Sequence, residues 1–317
     1  MFMVLLQVPA TIPTTHALES EPVKSEMNGE VIIPIPSRRL WRWNVGMSIF
    51  HGILLIATCV IGNLELRVPV YGSSVKLRVG MGNSSAGWAL APDTDTRVGW
   101  MYMTSLVALF FGMSCGFHFG NAFIWRKYYE YALERAYAPF RWIEYSGSAS
   151  VMILILSYTS GTLLSPMLVS LFALTMITMY FGHLHEVICR PKSLDEWECK
   201  NKLWRLQAHL LGYVPQCFAW GLIIAQFMDA GGKTTTDASG QTRQMPKFVY
   251  AIVFGEMAVF WSFGVVQLIV SLRPPSKYCQ GEIAYMWLSL FAKGFLGIIV
   301  LGNVLILDNF TDIYENS

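Results

Sequence analysis

Seven stretches of this chain stay apolar over about the 20 residues needed to cross the roughly 30 Å hydrocarbon core of a bilayer. They lie near residues 44–63, 99–124, 139–160, 163–188, 206–228, 248–272 and 282–308. None alternates with the two-residue period of a barrel strand, and a segment in lipid must satisfy its own backbone hydrogen bonds. The expected fold is therefore all-α, a bundle of seven transmembrane helices. A composition of 54% hydrophobic and 14% charged residues agrees, being too apolar for an ordinary soluble domain. The net charge of +2 gives no sign of a nucleic-acid surface.

Orientation follows from where Lys and Arg fall. Fifteen of the 23 precede the first run or follow the second, fourth and sixth, Arg38, Arg39 and Arg42 among them. Seven lie on the other side, and Lys293 alone falls within a run. By the positive-inside rule the N-terminus is cytoplasmic and the C-terminus extracellular. The expected protein is a multi-pass membrane protein with the lipid bilayer as its first partner.

Residues 1–37 read as a disordered N-terminal tail and 309–317 as a short extracellular tail, with the membrane domain spanning 38–308. The first ten residues lack the basic start of a secretory signal. Between the first two runs, LELRVPVYGSSVKLRV alternates on either side of Gly72 and Ser73, which predicts a β-hairpin on the outer face. Asn83-Ser84-Ser85 is a glycosylation sequon on the same face. On the inner face, WRKYYEYALERAYAPFRW has the aromatic and charged mixture of an interfacial helix, and Pro139 suits the first turn of the third span. The six cysteines have neither disulfide-framework nor metal-site spacing.

Lys293 sits eleven residues into the last span, where insertion of a charged amine costs about 2.5–3.5 kcal/mol. Two readings are open. The amine is a structural staple, neutral or paired with a carboxylate, or it is a nucleophile that forms a Schiff base with an aldehyde, of which retinal is the obvious membrane-soluble example. A cationic Schiff base in low dielectric needs a counter-charge within a few ångströms. Glu144, about five residues or roughly 8 Å into the third span, is the best candidate, since the Lys293 side chain leans back toward the same face. The competing reading pairs Glu144 with Arg141 at the interface. Ser148 and Ser289 each stand four residues from one member of the pair and so share its helix face.

At these residues the chain resembles a known family. RWIEYSGSAS around Glu144 resembles the third-helix signature of the heliorhodopsins, and GEIAYMWLSLFAKG is similar to their retinal-lysine helix. FVYAIVFGEMAVFWSF resembles the sixth helix, and RRLWRWN followed by His51 the start of the first, so the similarity runs over residues 38–308. The resemblance implies a rhodopsin-type bundle with inverted orientation and all-trans retinal on Lys293. It further implies Glu144 as counterion, Ser148 and Ser289 as hydrogen-bonding neighbours, and a polar pocket at His51, His118 and Ser114. Met152, Gln216, Phe260, Trp261 and Phe263 are the expected chromophore walls. A homodimer, with the outer hairpin as contact, and a signalling partner are expected by analogy.

The chain departs from the family pattern at Glu256, where an apolar residue is usual, and at Trp261, where a small polar one is. An intramembrane carboxylate marks a polar pathway or a specific pair. Toward the cytoplasmic end of the fourth span His183, His185 and Glu186 make a second ionisable cluster, either solvated at the interface next to Arg190 or, for Glu186 and His183, outlining an ion route with Glu256. The leading expectation is a non-enzymatic light sensor, and the alternative is a light-gated ion or proton conductor.

Overall fold

A computed structural model of the chain describes residues 31–79, 88–93, 96–190, 198, 202–236, 242–243 and 245–305. The long helices in chain order are α1 (Ser37–Ile61), α2 (Met103–Phe119, continued by a π-helical turn at Gly120–Ile124), α4 (Pro139–Thr159) and α5 (Ser165–Cys189). They are followed by α6 (Lys202–Gly231), α7 (Lys247–Leu272) and α8 (Tyr278–Val300, ending in a π-helical turn at Leu301–Leu305). A short helix α3 (Arg126–Leu133) links α2 to α4. Six of the long helices are long and apolar enough to cross a membrane. The remaining one, α4, is 21 residues long and carries Arg141, Glu144 and four serines. It packs between α2 and α5, so its polar groups face protein rather than lipid.

The bundle forms for the reasons a membrane chain must. On α1, Ile49, Ile53, Ile56 and Val60 recur at helical spacing and are exposed, while Asn44, Ser48, His51 and Thr58 are buried. That is the reverse of a soluble amphipathic helix, with apolar groups outside and polar ones inside. Pro139 occupies the first turn of α4 as its sequence position predicts, where its missing N–H costs nothing. Gly161, at φ +88°, turns the chain from α4 toward α5 in a conformation that a Cβ would oppose.

Two apolar cores hold the helices. The larger gathers Phe110, Phe111, Met152, Trp220, Phe227, Ile252 and Leu296. The smaller lies at the end where α1, α4 and α8 begin, hereafter the Ser37 face, around Leu40, Met47, Tyr129, Leu133 and Tyr278. Val31 and Ile33 belong to this second core, and the Ile33 N–H donates to the Glu134 carbonyl at 2.8 Å. The boundary drawn after residue 37 for the tail is thus too late, since this short segment already packs beneath α3. Residues 1–30 and 306–317 lie outside the described residues, as does the Asn83 sequon.

The segment between α1 and α2 folds into strands β1 (Arg67–Tyr71), β2 (Ser74–Val79), β3 (Trp88–Asp93) and β4 (Arg97–Tyr102). The expected β character is present, but its pairing differs. β1 and β2 do not pair across Gly72 and Ser73; β1 pairs with β4 and β2 with β3, all antiparallel. The Gly72 N–H donates to the Thr96 carbonyl at 2.8 Å, so the chain runs straight on through Gly72 as one interrupted ribbon. For the same reason residues 99–102 are strand, and α2 starts later than the apolar run suggested. A further pair, β5 (Thr235–Thr236) with β6 (Thr242–Arg243), caps the loop between α6 and α7.

Candidate functional site

Lys293 is buried on α8, and its ammonium donates to Glu144 Oε1 on α4. Ser114 of α2 bridges the same two groups. Lys293 Nζ donates to its Oγ at 2.5 Å, and the hydroxyl donates to Glu144 Oε1 at 2.6 Å. Ser148, one turn along α4, donates to the same oxygen at 2.7 Å. Burying two opposite charges is tolerable only when remaining hydrogen-bonding capacity is met, and here two serines meet it. Glu144 does not pair with Arg141, so the interfacial alternative is excluded. Ser289 is buried on the Lys293 face, but its hydroxyl makes no hydrogen bond to the lysine.

Next to the pair, His118 Nδ1 lies 2.9 Å from Asn44 Oδ1, and Asn121 donates to the same oxygen at 3.4 Å. A carbonyl oxygen only accepts, so His118 carries its hydrogen on Nδ1. His51 stacks on His118 with ring centroids 5.9 Å apart, and neither of its nitrogens has a hydrogen-bond partner among the described residues. The histidines predicted for a polar pocket do stand together, yet only His118 lines the cavity beside the carboxylate. That cavity is bounded by His118, Asn121, Arg141, Glu144, Tyr145, Glu282 and Tyr285.

Toward the Ser37 face, Arg141 sits between two carboxylates, with Nη2 2.5 Å from Glu282 and Nη1 3.3 Å from Glu186. Tyr278 accepts from Arg141 at 3.0 Å and donates to Glu186 at 3.0 Å; Tyr129 donates to Glu282 at 2.8 Å. The Ala138 N–H donates to the other Glu186 oxygen at 3.1 Å. This buried network closes the bundle beyond the cavity. Sequence reasoning missed Glu282, Tyr129, Tyr278 and Asn44; the available signal was polar residues at helix ends, which ordinarily face water.

Tyr145 links the ion pair to a second cavity. Lys293 Nζ lies 5.2 Å from its ring centroid, and the same side chain lines that cavity with Trp142, Gln216, Phe260, Trp261 and Phe263. Four of the five expected chromophore walls therefore share one cavity. Met152, the fifth, is buried in the larger core one turn beyond Ser148. Trp261 stacks on Tyr213 with centroids 5.5 Å apart.

Of the expected ion-route residues, Glu256 is fully buried and neither carboxyl oxygen has a hydrogen-bond partner among the described residues. Its neighbour Gly255 lets the Phe295 ring lie against the backbone, so Glu256 is level with the turn just past Lys293. Glu186 and His183 make different contacts. Glu186 belongs to the Arg141 network, whereas His183 is half-buried beside the Tyr137 ring, 5.5 Å away. Glu186 also does not depend on solvation next to Arg190.

A membrane bundle with a buried lysine ion-paired across helices, next to a largely aromatic cavity, is the arrangement expected of the rhodopsin class. Solved structures share that fold. The light-driven ion pump xanthorhodopsin, described as having a dual chromophore, matches at a TM-score of 0.53 with 11% identity, over 86% of this chain and 94% of that one. A light-driven proton pump from Leptosphaeria maculans matches at 0.52 with 12% identity, over 90% and 99%. The sequence itself matches the family described as Heliorhodopsin over residues 40–305, and the chain belongs to that family. No curated protein matches it. It is a retinal-binding, membrane-embedded photoactive protein, not an enzyme.

Proposed function

We propose that Lys293 carries retinal as a Schiff base with Glu144 as its counterion, and that light absorbed there sets off proton conduction through the bundle. Bound retinal supplies one thing, a light-driven isomerisation that changes the surroundings of the Lys293 nitrogen. The protein's residues do the rest. Glu144 Oε1, held by Ser114 and Ser148, is the atom positioned to hold a proton leaving Lys293, and His118 Nε2, which has no hydrogen-bond partner, borders the same cavity. Gln216, Phe260, Trp261 and Phe263 exclude water from the polyene side. Ser289 lies one turn before Lys293 on α8, and Met152 one turn beyond Ser148 on α4, as neighbours of the pair rather than cavity walls. In this reading α4 is the third transmembrane span and brings the total to seven, and the positive-inside count puts the Ser37 face in the cytoplasm.

Light-gated proton conduction is the output that the geometry supports best, and the carrying observation is Glu256. A carboxyl placed mid-bundle without a partner is costly to retain and serves a polar route. Glu144, Glu282 and Glu186 continue the series toward the Ser37 face. Photocurrent under voltage clamp tests this: a current that collapses in Glu256→Gln is expected, and its absence in the retinal-loaded protein rejects conduction. The second reading, a sensor signalling to a partner without net transport, is favoured by the Arg141 network, which seals the route at rest. A homodimer remains an expectation of the family; the exposed stripe Val75, Leu77 and Val79, facing Pro92, Leu90 and Trp88, is the surface that would carry it.

A further inference from the structure

The aromatic cavity beyond Tyr145 and a cavity at the Ser37 face meet at a single side chain. Gln267 of α7 lines both, the one described residue they share. His209 of α6 stands on the aromatic side and His185 of α5 on the other, with ring centroids 5.3 Å apart. Both imidazoles are buried.

Their hydrogen bonds fix the tautomers. Gln267 Nε2 donates to the Gly182 carbonyl at 2.8 Å, which orients the amide so that its oxygen faces His209 Nδ1 at 3.0 Å. An amide oxygen only accepts, so His209 carries its hydrogen on Nδ1 and has a lone pair on Nε2, an atom without a partner. Ser271 donates its one hydrogen to the Gln267 carbonyl at 2.7 Å and so accepts from His185 Nε2. His185 Nδ1 faces the Cys189 sulfur at 3.6 Å and the Arg205 main-chain carbonyl, to which that thiol donates at 2.9 Å, so a proton taken up on Nδ1 meets an acceptor already in place. In these tautomers each ring keeps one unprotonated nitrogen, His209 Nε2 without a partner and His185 Nδ1 beside the Arg205 carbonyl, and two cationic rings in contact would repel.

We propose that His185 and His209 form a one-proton site joining the two cavities, a second proton-holding station apart from the Lys293–Glu144 pair. The proton is held on His209 Nε2 or on His185 Nδ1 and passes between them directly or through one cavity water. In direct transfer one N–H bond breaks as the other forms; through a water, the water gains a proton from one ring and gives one to the other, so its own O–H count is unchanged. The titratable and polar groups around the pair and its two cavities include Cys189, Glu186 and Arg190 at the end of α5, Tyr145 from α4, Arg205 and Tyr213 from α6, Gln267, Ser271 and Arg273 from α7 and its end, and Tyr278 and Tyr285 from α8. Glu186 is already bonded to Arg141, Tyr278 and Ala138. The site stands on this geometry; its use as a relay rests on the light-driven proton movement proposed above.

Two measurements on the full chain separate these claims. In ¹⁵N-histidine NMR of the Lys293→Ala protein, which cannot attach retinal, the His185 and His209 signals should titrate together and take up one proton between them. His209→Gln should shift the His185 titration. Two independent titrations, one full proton on each ring, overturn the proposal. In the retinal-loaded protein, flash-induced proton transfer to a pH-indicating dye should slow on the order of 10- to 100-fold in both His209→Gln and His185→Gln. Unchanged kinetics in both variants overturn the relay. A wild-type protein that keeps its visible band yet gives no dye signal rejects the light-driven reading, and the NMR result still decides the site. The visible band also shows that each variant is folded, and a variant that loses it leaves the other to decide.

Discussion

Lys293 and Glu144, 149 positions apart in sequence, share one hydrogen bond within the bundle, and Ser114 bonds to both. A single oxygen of Glu144 thus receives three hydrogens, which concentrates its negative charge at the lysine nitrogen. This geometry makes the colour of the protein sensitive to Glu144. With all-trans retinal supplied, wild type should show a visible band that Lys293→Ala abolishes. Glu144→Gln should move it to the red, because the counter-charge stabilises the ground-state cation. Absorption spectra decide; a band retained by Lys293→Ala refutes attachment there.

The pair was legible in the sequence because depth along a helix is a count. Pro139 fixes where α4 begins, and the rise per residue puts Glu144 and Lys293 within reach of each other. The Arg141 network was not legible, since Glu282 and Tyr278 sit in the first turns of α8, where charges ordinarily meet water. Only the packing of α3 and the Val31–Ile33 segment over that end removes the water. The hairpin misled for a local reason. Gly72-Ser73 carries turn residues, but continuous pairing with Thr96 and Arg97 outweighs them. The histidine pair spans two helices, so no single-helix pattern reveals it.

Arg141 bears on stability as well as on the route. Removing it leaves Glu186 and Glu282 buried without a cation, an arrangement that typically costs about 3–5 kcal/mol. Arg141→Met should therefore unfold at clearly lower denaturant. The triple variant Arg141→Met/Glu186→Gln/Glu282→Gln should recover most of the loss, because no charge is then stranded. Denaturation in detergent micelles distinguishes the two. Equal stability of Arg141→Met and wild type would mean that water reaches the carboxylates.

Gly297 of α8 tests the tightness of the larger core. A Cβ there would fall 2.2 Å from Phe111 Cζ, and the Phe111 ring is itself fully buried and cannot swing away. Gly297→Ala should destabilise by about 1–3 kcal/mol, as overpacking does. Phe111→Leu should restore part of it only in the double variant. A thermodynamic cycle on the two sites measures that coupling, and strict additivity would show that α8 shifts to make room.

The ribbon outside the bundle supplies a pH dependence with a definite sign. Lys76 of β2 donates to Asp93 of β3 at 2.9 Å, and this hydrogen bond holds the Asp93 carboxyl below its usual range. A carboxyl whose folded value is depressed contributes stability that is present in full above the unfolded value of about 3.9 and is lost as pH falls through the folded one. Both side chains are partly exposed, so the effect is small and salt-sensitive. Amide exchange in β2 and β3 should stay slow, relative to the intrinsic rate, down to about pH 4 and lose protection below it. Lys76→Ala should remove the acid dependence by raising exchange at neutral pH to the level wild type reaches in acid. If acid loosens wild type and Lys76→Ala alike, the dependence comes from another group.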